Sequence, residues 1–169
     1  SENSEVNLNE VLESIRLRDT HKNIMNPGLG VGGYCLTKDA LLASWSSQFM
    51  FESKKLKQSE NAIKINDRMP EHSFRLIKKH FINLDKLRFL ILGVSYLKNI
   101  GDTRNSPSKY IYDRLTSMGA FVSYFDPYIP KWNETSLQSL DINELFQNNF
   151  DAILIGAPHD VFIKEKYVE

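Results

Sequence analysis

Three short apolar runs separated by helical patterns constrain the fold of the second half of the sequence. Residues 87–93 read Leu-Arg-Phe-Leu-Ile-Leu-Gly, a run of strand length ending in glycine that is typical of a buried parallel strand. Similar runs occupy 120–125 and 152–155. Between them, Ser106-Pro107 marks a helix start, with serine as N-cap and proline in the first turn, and a short helix is predicted near 142–147. This order predicts a right-handed, Rossmann-like parallel sheet, and three strands make it a partial one.

The first residues of the chain predict a short helix followed by a loop. Asn7 followed three residues later by Glu10 resembles a capping box, and apolar residues recur at helical spacing, which predicts a helix at about 8–18. Residues 19–34 contain Asn, Pro and four glycines, a composition that indicates a loop.

A long helical segment connects this loop to the predicted sheet. Helical spacing resumes near Thr37 and continues through a run at about 56–82. Pro70 is expected to kink this run or to begin a new segment of it. The predicted fold class is therefore α/β, with a long central helical segment followed by a partial Rossmann-like parallel sheet.

Composition argues against several classes of protein. Lys plus Arg number 21 and Asp plus Glu number 21, and this zero net charge argues against a nucleic-acid binder or a polybasic membrane protein. No run approaches the roughly 18 apolar residues of a membrane span. Cys35 is the only cysteine, which excludes an intrachain disulfide and favours a reducing compartment, the cytoplasm. The four histidines show no metal-ligand spacing, so no metal site is predicted.

A glycine-rich loop that leads into a cysteine is the main candidate for chemistry. Residues 26–39 read Asn-Pro-Gly-Leu-Gly-Val-Gly-Gly-Tyr-Cys-Leu-Thr-Lys-Asp, but no predicted strand precedes the glycines, so the context of a dinucleotide fingerprint is missing. Cys35 is expected at a helix start, where the macrodipole favours a thiolate. Lys38 and Asp39 would share its helical face, about 5–6 Å away. Spacing alone allows two interpretations equally, a nucleophile site or a flexible loop with a buried cysteine and two solvated charges.

Two motifs resemble those of the UDP-glucose/GDP-mannose dehydrogenase family. Residues 30–39 match its cysteine loop, Gly-x-Gly-Gly-x-Cys-x-Pro-Lys-Asp, except that Thr37 replaces the proline. Residues 101–107 resemble the Asp-x-Arg-x-Ser-Pro segment that opens the nucleotide-sugar domain, and 124–127 and 158–162 match later strand ends. The chain is therefore similar to the central and C-terminal portion of that family.

The resemblance implies a division into two parts. Residues 1–83 would carry the catalytic-cysteine loop and central dimerisation helices, and 84–169 a C-terminal Rossmann-like UDP-sugar-binding domain. We expect the NAD-binding N-terminal domain of the family to be absent from these residues. A homodimer through the helix at about 56–82 is expected as well.

The resemblance also implies a reaction, in which a sugar C6 alcohol is oxidised twice to the carboxylate for polysaccharide biosynthesis, with NAD as cofactor and a UDP-sugar as substrate. Cys35 would attack the intermediate aldehyde, and the resulting thiohemiacetal would become a thioester that water hydrolyses. Asp39 matches the catalytic carboxylate that orients or deprotonates this water. Lys38 and Arg104 match positions that contact NAD. Positions that match substrate contacts are Ile24, Met25, Asn26, Pro27, Gly28, Gly32 and Tyr96, the last against the uracil ring.

Several positions leave questions open. Leu97 stands where the family usually has a substrate-binding lysine, and the offset of the adjacent Lys98 points that side chain elsewhere, so the identity of the nucleotide sugar stays open. Asp102 is expected to cap the loop or pair with Arg104. His159 matches a recurrent family position to which no chemistry is assigned.

Two functions remain possible from the sequence, a piece of a working dehydrogenase or a non-catalytic module for nucleotide-sugar binding and dimerisation. The joint presence of Cys35, Lys38 and Asp39 favours the enzyme, because a binding module does not need that trio. Residues 1–169 alone are expected to be inactive.

Overall fold

The structure is a computed structural model that describes residues 5–164. In the order of the chain it contains α1 (Leu8–Arg16), a 3-10 turn (Asp19–His21), α2 (Asp39–Phe49), α3 (Lys57–His80), β1 (Arg88–Leu92), α4 (Pro107–Ser117), β2 (Phe121–Phe125), β3 (Lys131–Trp132), β4 (Leu137–Gln138), α5 (Ile142–Gln147), β5 (Ala152–Ile155) and α6 (Asp160–Lys164).

A three-stranded parallel sheet lies at the centre of the second half, in the order β2-β1-β5. Leu92 of β1 pairs with Phe125 of β2 on one side and with Ile155 of β5 on the other. The predicted α/β class and parallel sheet are confirmed. A small antiparallel hairpin of β3 and β4 was not predicted, because strands of two residues carry no periodic signal.

Both faces of β1 are covered, which explains its continuous apolar sequence. Phe89 packs in one cluster with Phe74 of α3 and with Leu115 of α4. Leu90 and its neighbour Leu92 point to the opposite face, because side chains alternate along a strand. There they pack with side chains of α5 and α6, Leu145 and Phe162.

The predicted helix starts are confirmed at two caps. The side chain of Asn7 accepts a hydrogen bond from the backbone of Asn9, and its amide donates to Glu10 at 2.9 Å. Ser106 accepts from Ser108 N and precedes a proline at the start of α4, as predicted.

Pro70 does not begin a new segment of α3, since the helix runs unbroken from Lys57 to His80, and of the two predicted alternatives only the kink stays a prediction. A proline inside a helix removes one backbone hydrogen bond. Here Ile63 before it and Phe74 after it are both buried, and Pro70 itself is buried with them. Tertiary packing on both sides of the proline therefore keeps the helix continuous.

The exposed apolar surface of the central helices lies mainly on α2. Ile63 and Phe74 of α3 are buried within the chain, and Ile77 packs against the same core. In contrast, Trp45 and Phe49 of α2 are 51% and 62% exposed. Most of the apolar residues that suggested a dimer through the long helix are thus used inside this chain.

Candidate functional site

The glycine loop is held between the central helix and the second half of the chain. Asn66 of α3 accepts a hydrogen bond from Val31 N at 2.7 Å and donates to Val31 O at 2.8 Å. On the other side, Gly33 N donates to Arg104 O at 2.8 Å, and Asn105 Nδ2 donates to Gly33 O at 2.9 Å. Two asparagine side chains and one backbone carbonyl therefore fix the loop that precedes Cys35.

Two glycines of this loop allow Tyr96 and Asn105 to approach its backbone so closely that any side chain there would block the contact. A Cβ at Gly32 would lie 2.6 Å from both Asn105 O and Tyr96 Cβ. Gly33 has a φ of 81°, and a Cβ there would lie 2.8 Å from Tyr96 Cε2. Tyr96, predicted to meet the uracil ring, therefore packs directly on the loop that carries the cysteine. Gly32, predicted to meet the sugar, makes this close packing possible because it has no side chain.

Cys35 is exposed, which rules out the alternative of a buried structural cysteine. It lies one turn before α2, whose N-cap is Lys38 rather than Cys35. Asp39 N donates to Cys35 O at 2.9 Å, the i to i+4 pattern of a helix. The thiol is thus presented to solvent at the entry to α2.

The two predicted cofactor-binding cations are each paired with a carboxylate. Lys38 Nζ lies 2.6 Å from Asp39 Oδ1, and Arg104 Nη2 lies 2.6 Å from Asp102 Oδ2, so the predicted Asp102–Arg104 pair is confirmed. Hydrogen bonding to Asp39 raises the pKa of Lys38, and hydrogen bonding to Asp102 raises the pKa of Arg104. Both side chains are therefore held in their charged form.

Tyr34 joins these cations to the cysteine. Lys38 Nζ lies 4.5 Å and Arg104 Cζ 5.6 Å from the centroid of its ring, within the range of cation–π attraction. Beyond the dominant hydrogen bonds to their carboxylates, the electrostatic interaction with Cys35 is a smaller cause that raises the pKa of Lys38 and of Arg104. The structure therefore brings Cys35, Lys38, Asp39 and Arg104 into one cluster.

Thr37, the departure from the family's proline, makes hydrogen bonds that a proline lacks. Its hydroxyl donates to Gly33 O at 3.0 Å and lies 3.3 Å from Asn105 Nδ2. The turn around Cys35 is thus fixed by a hydroxyl in place of a ring.

The predicted sugar loop at 24–28 is held by a residue that the sequence did not indicate. Arg16, in the last turn of α1, donates from Nη2 to Ile24 O and to Asn26 Oδ1, each at 2.6 Å. Met25, Pro27 and Gly28 are exposed, and a Cβ at Gly28 would meet nothing within 4 Å. The only sequence signal for this role was a basic residue at a helix end, which usually indicates interaction with the helix dipole.

The loop after β1 places Lys98 away from the cysteine cluster. Lys98 Nζ pairs with Asp160 at 3.0 Å, in line with the one-residue offset seen in the sequence, and Leu97 is partly exposed. Lys98 is therefore engaged with α6 in this structure.

A cleft of about 500 Å³ opens beside the glycine loop, between α3 and the start of α4. Its lining includes Tyr34, Lys38, Asn66, Lys109 and Tyr110, whereas Cys35 lies outside it. The cleft therefore adjoins the cysteine cluster through Tyr34 and Lys38.

Within residues 5–164, no group of three or more His, Cys, Asp or Glu side chains is arranged to hold a metal ion. None of the helices in that part of the chain is long and apolar enough to cross a membrane.

Comparison with known proteins covers both halves of the chain. Residues 1–68 match the central domain of the UDP-glucose/GDP-mannose dehydrogenase family, and residues 90–169 match its UDP binding domain. The UDP-N-acetyl-D-mannosamine dehydrogenase of Methanocaldococcus jannaschii is 37% identical over 161 residues, which cover 94% of this chain and 35% of that protein. The chain thus spans about a third of the length of the curated relatives it matches.

Solved structures agree with these matches. The UDP-D-ManNAc dehydrogenase of Pyrococcus horikoshii superposes with a TM-score of 0.69 at 30% identity, over 90% of this chain and 35% of the other. A UDP-glucose dehydrogenase of Pyrobaculum islandicum shares the fold, with a TM-score of 0.76 at 21% identity over 93% of this chain and 37% of the other.

Proposed function

The chain belongs to the UDP-glucose/GDP-mannose dehydrogenase family, and we propose that it forms part of an NAD-dependent nucleotide-sugar 6-dehydrogenase that oxidises the C6 alcohol of a UDP-sugar to the carboxylate. The observation that carries this proposal is the exposed Cys35, in a loop fixed between the two halves and beside two cations. In this proposal residues 1–83 carry the cysteine loop and central helices, and 84–169 bind the UDP-sugar. A cytoplasmic location completes it, because a thiol that acts as a nucleophile must stay reduced.

The proposed chemistry uses Cys35 after the alcohol has been oxidised to an aldehyde. The sulfur attacks the aldehyde carbon, and the carbonyl oxygen takes a proton to give a thiohemiacetal. Loss of a hydride from that carbon and of the proton from its hydroxyl gives a thioester, and water then releases the carboxylate and the free thiol. A thiolate suits this sequence because it is both a soft nucleophile and a fair leaving group. NAD supplies the acceptor for both hydrides.

The residues present fit one part of the dinucleotide. Lys38 and Arg104 flank Tyr34 and stay charged, which suits a diphosphate. We propose that they contact the cofactor at its phosphates while Asp39 and Asp102 hold them in place.

Asp39→Asn is expected to slow turnover about 100-fold or more without unfolding the protein. The carboxylate would orient or deprotonate the water that hydrolyses the thioester, a contribution typical of general bases. A first-turn carboxylate stabilises its helix by only about 0.3–1 kcal/mol. The measurement is kcat for uronate formation, with two NADH per sugar, beside a thermal melt, in an enzyme that contains residues 1–169 and a cofactor-binding domain.

Asp113→Asn is the matched control for this variant. Asp113 also forms a 2.6 Å ion pair with a lysine, and its side chain is 53% exposed compared with 54% for Asp39. The control should keep wild-type turnover. If Asp39→Asn turns over as fast as the wild type, Asp39 has no role in the reaction.

A homodimer through the central helices is also part of the proposal. It is supported by the family resemblance and by the exposed apolar side chains of α2, which include Leu42, Trp45 and Phe49. A large patch of this kind on a protein surface usually marks an interface. Because α3 buries most of its own apolar residues, α2 supplies most of this surface.

Trp45→Glu is expected to weaken the dimer about 30-fold or more, since a buried charge in place of a central tryptophan removes a typical hot spot. Sedimentation over a range of concentrations measures the change. Ile65→Glu, at an exposed position of α3, distinguishes the two helices and should have the smaller effect. A strict monomer for the wild-type protein at high concentration would remove the dimer from the proposal.

A further inference from the structure

A buried polar cluster joins the carboxyl ends of all three strands of the parallel sheet. Ser95 follows β1, Asp126 follows β2 and His159 follows β5, and their exposed fractions are 2%, 2% and 0%. Burial of such groups is costly unless each has hydrogen-bond partners. The cluster takes no part in the chemistry proposed for Cys35.

The hydrogen bonds determine the tautomer of His159. Asn99 N donates to Nδ1 at 2.8 Å, so this nitrogen is an acceptor and the proton resides on Nε2. Nε2 lies 3.1 Å from Asp126 Oδ2, to which it donates. The imidazole thus joins the backbone of Asn99 to the carboxylate of Asp126.

The cluster is not a Ser-His-Asp nucleophile site, although it contains those three residues. In such a site the serine and the carboxylate contact different ring nitrogens. Here Ser95 Oγ lies 3.3 Å from the same Nε2 that faces Asp126, and its own proton goes to Leu97 O at 2.9 Å. The arrangement therefore orders the chain rather than activating the serine.

Asp126 holds the beginning of the loop that follows β1. Its Oδ2 accepts from Val94 N at 2.8 Å and from Ser95 N at 3.2 Å, and its Oδ1 accepts from Tyr128 N at 2.9 Å. Burial by itself would raise the pKa of Asp126, but these bonds and the one from His159 outweigh it and lower the pKa. The group is therefore a carboxylate that is satisfied on both oxygens.

His159 holds the end of the same loop. Asn99 is in the left-handed region, with a φ of 62°, and donates its backbone N–H to the imidazole. Its side chain also exchanges two hydrogen bonds with Asp160, at 2.7 and 2.9 Å. Between the two fixed ends lies Tyr96, whose ring packs on Gly33 of the cysteine loop.

We propose that Asp126 and His159 are positioning residues that set the conformation of residues 94–99 and so place Tyr96 at the nucleotide site. The inference rests on the proposed function for the identity of the ligand, a uridine nucleotide, and on the structure for the fixed loop. Loss of the His159 acceptor leaves the Asn99 N–H without its partner and frees one end of the loop. Tyr96 then loses its fixed position between the nucleotide and the cysteine loop.

Two conservative variants separate the two bonds of His159. In His159→Gln the side-chain amide reaches the position of Nε2 and still donates to Asp126, but nothing replaces Nδ1. In His159→Asn the amide oxygen reaches the position of Nδ1 and still accepts from Asn99. Hydrogen exchange of the Tyr96 and Asn99 amides and calorimetry with UDP are measured on the 169-residue chain.

We expect about tenfold faster exchange at Asn99 in His159→Gln, faster exchange at Tyr96, and about tenfold weaker UDP binding, since loss of one part-buried hydrogen bond costs about one such factor. His159→Asn should keep the protection of Asn99. Leu115→Ala, in the separate cluster with Phe74, controls for loss of overall stability and should leave the affinity for UDP unchanged.

Wild-type exchange at Asn99 and Tyr96 in His159→Gln would overturn the positioning role. The same pattern of exchange and affinity in Leu115→Ala would overturn it too, since the effect would then be one of overall stability. If the wild-type chain fails to bind UDP, the proposed function fails, and the exchange rates of the two histidine variants still decide whether the pair sets the loop.

Discussion

Cys35→Ser is expected to abolish formation of the sugar carboxylate, with a loss of about 10³-fold or more in turnover, because loss of a covalent nucleophile removes a whole reaction path. A serine hydroxyl is a far weaker nucleophile than a thiolate and a poorer leaving group from the acyl intermediate. The first oxidation does not require the sulfur, so an aldehyde-level or slowly hydrolysed acyl species should accumulate. The assay follows uronate and NADH in an enzyme that contains residues 1–169 and a cofactor-binding domain.

Chemical modification provides a control for the serine variant. Cys35 is the only cysteine of the chain and is exposed, so iodoacetamide labels one site in these residues, which intact mass of the 169-residue chain verifies. Alkylated 169-residue chain should still bind UDP, while the alkylated enzyme loses turnover as the serine variant does. A serine variant that makes uronate at the wild-type rate would contradict the nucleophile role of Cys35.

The sequence was sufficient to predict the sheet because its signals are local. A run such as residues 87–93 is continuous, apolar and bounded by glycine, and both faces of β1 are indeed covered. The serine and proline at the start of α4 act within one helical turn. Patterns that depend on neighbouring residues therefore predicted the three strands of the parallel sheet and the helices α4 and α5 between them.

Long-range contacts at the site had no such signal. Asn66 bonds to Val31 across 35 residues and Asn105 to Gly33 across 72, and an isolated asparagine shows nothing of its partner. The division of apolar surface between α2 and α3 was hidden for the same reason. An apolar stripe shows that a helix face is covered, but not whether the cover belongs to the same chain.

The glycine loop illustrates both cases. Its motif indicates where the chemistry is proposed and predicts Gly32 as a substrate contact, whereas in the structure a Cβ at Gly32 would meet Tyr96 and Asn105. The structural role of His159 is visible only in the assembled sheet, where its imidazole contacts Asn99, after β1, and Asp126, after β2. Residues that connect separate elements are therefore the ones that sequence patterns leave unassigned.

Residues 1–169 by themselves are expected to form no NADH from a UDP-sugar and NAD, while they retain weak affinity for UDP. Hydride transfer needs the nicotinamide held against the sugar carbon, and such positioning lowers a barrier by about 7–11 kcal/mol. In the described part of the chain, the glycine loop at 30–33 follows α1 and a 3-10 turn instead of a strand. This loop is therefore not part of the strand, glycine turn and helix that seat a dinucleotide. The contacts proposed for Lys38 and Arg104 reach only the phosphates of the dinucleotide.

The proposed uridine side of the site, in contrast, lies within these residues. Tyr96 is fixed by the loop that Asp126 and His159 hold, and it packs against Gly33. Calorimetry with UDP, GDP and NAD should therefore show binding of UDP, weaker binding of GDP and no measurable binding of NAD. Tyr96→Ala should weaken the binding of UDP, since stacking of a base on an aromatic ring is worth about 1–3 kcal/mol. Tight NAD binding, or NADH formed by residues 1–169 alone, would assign the cofactor site to this part of the protein and refute the division of roles proposed here.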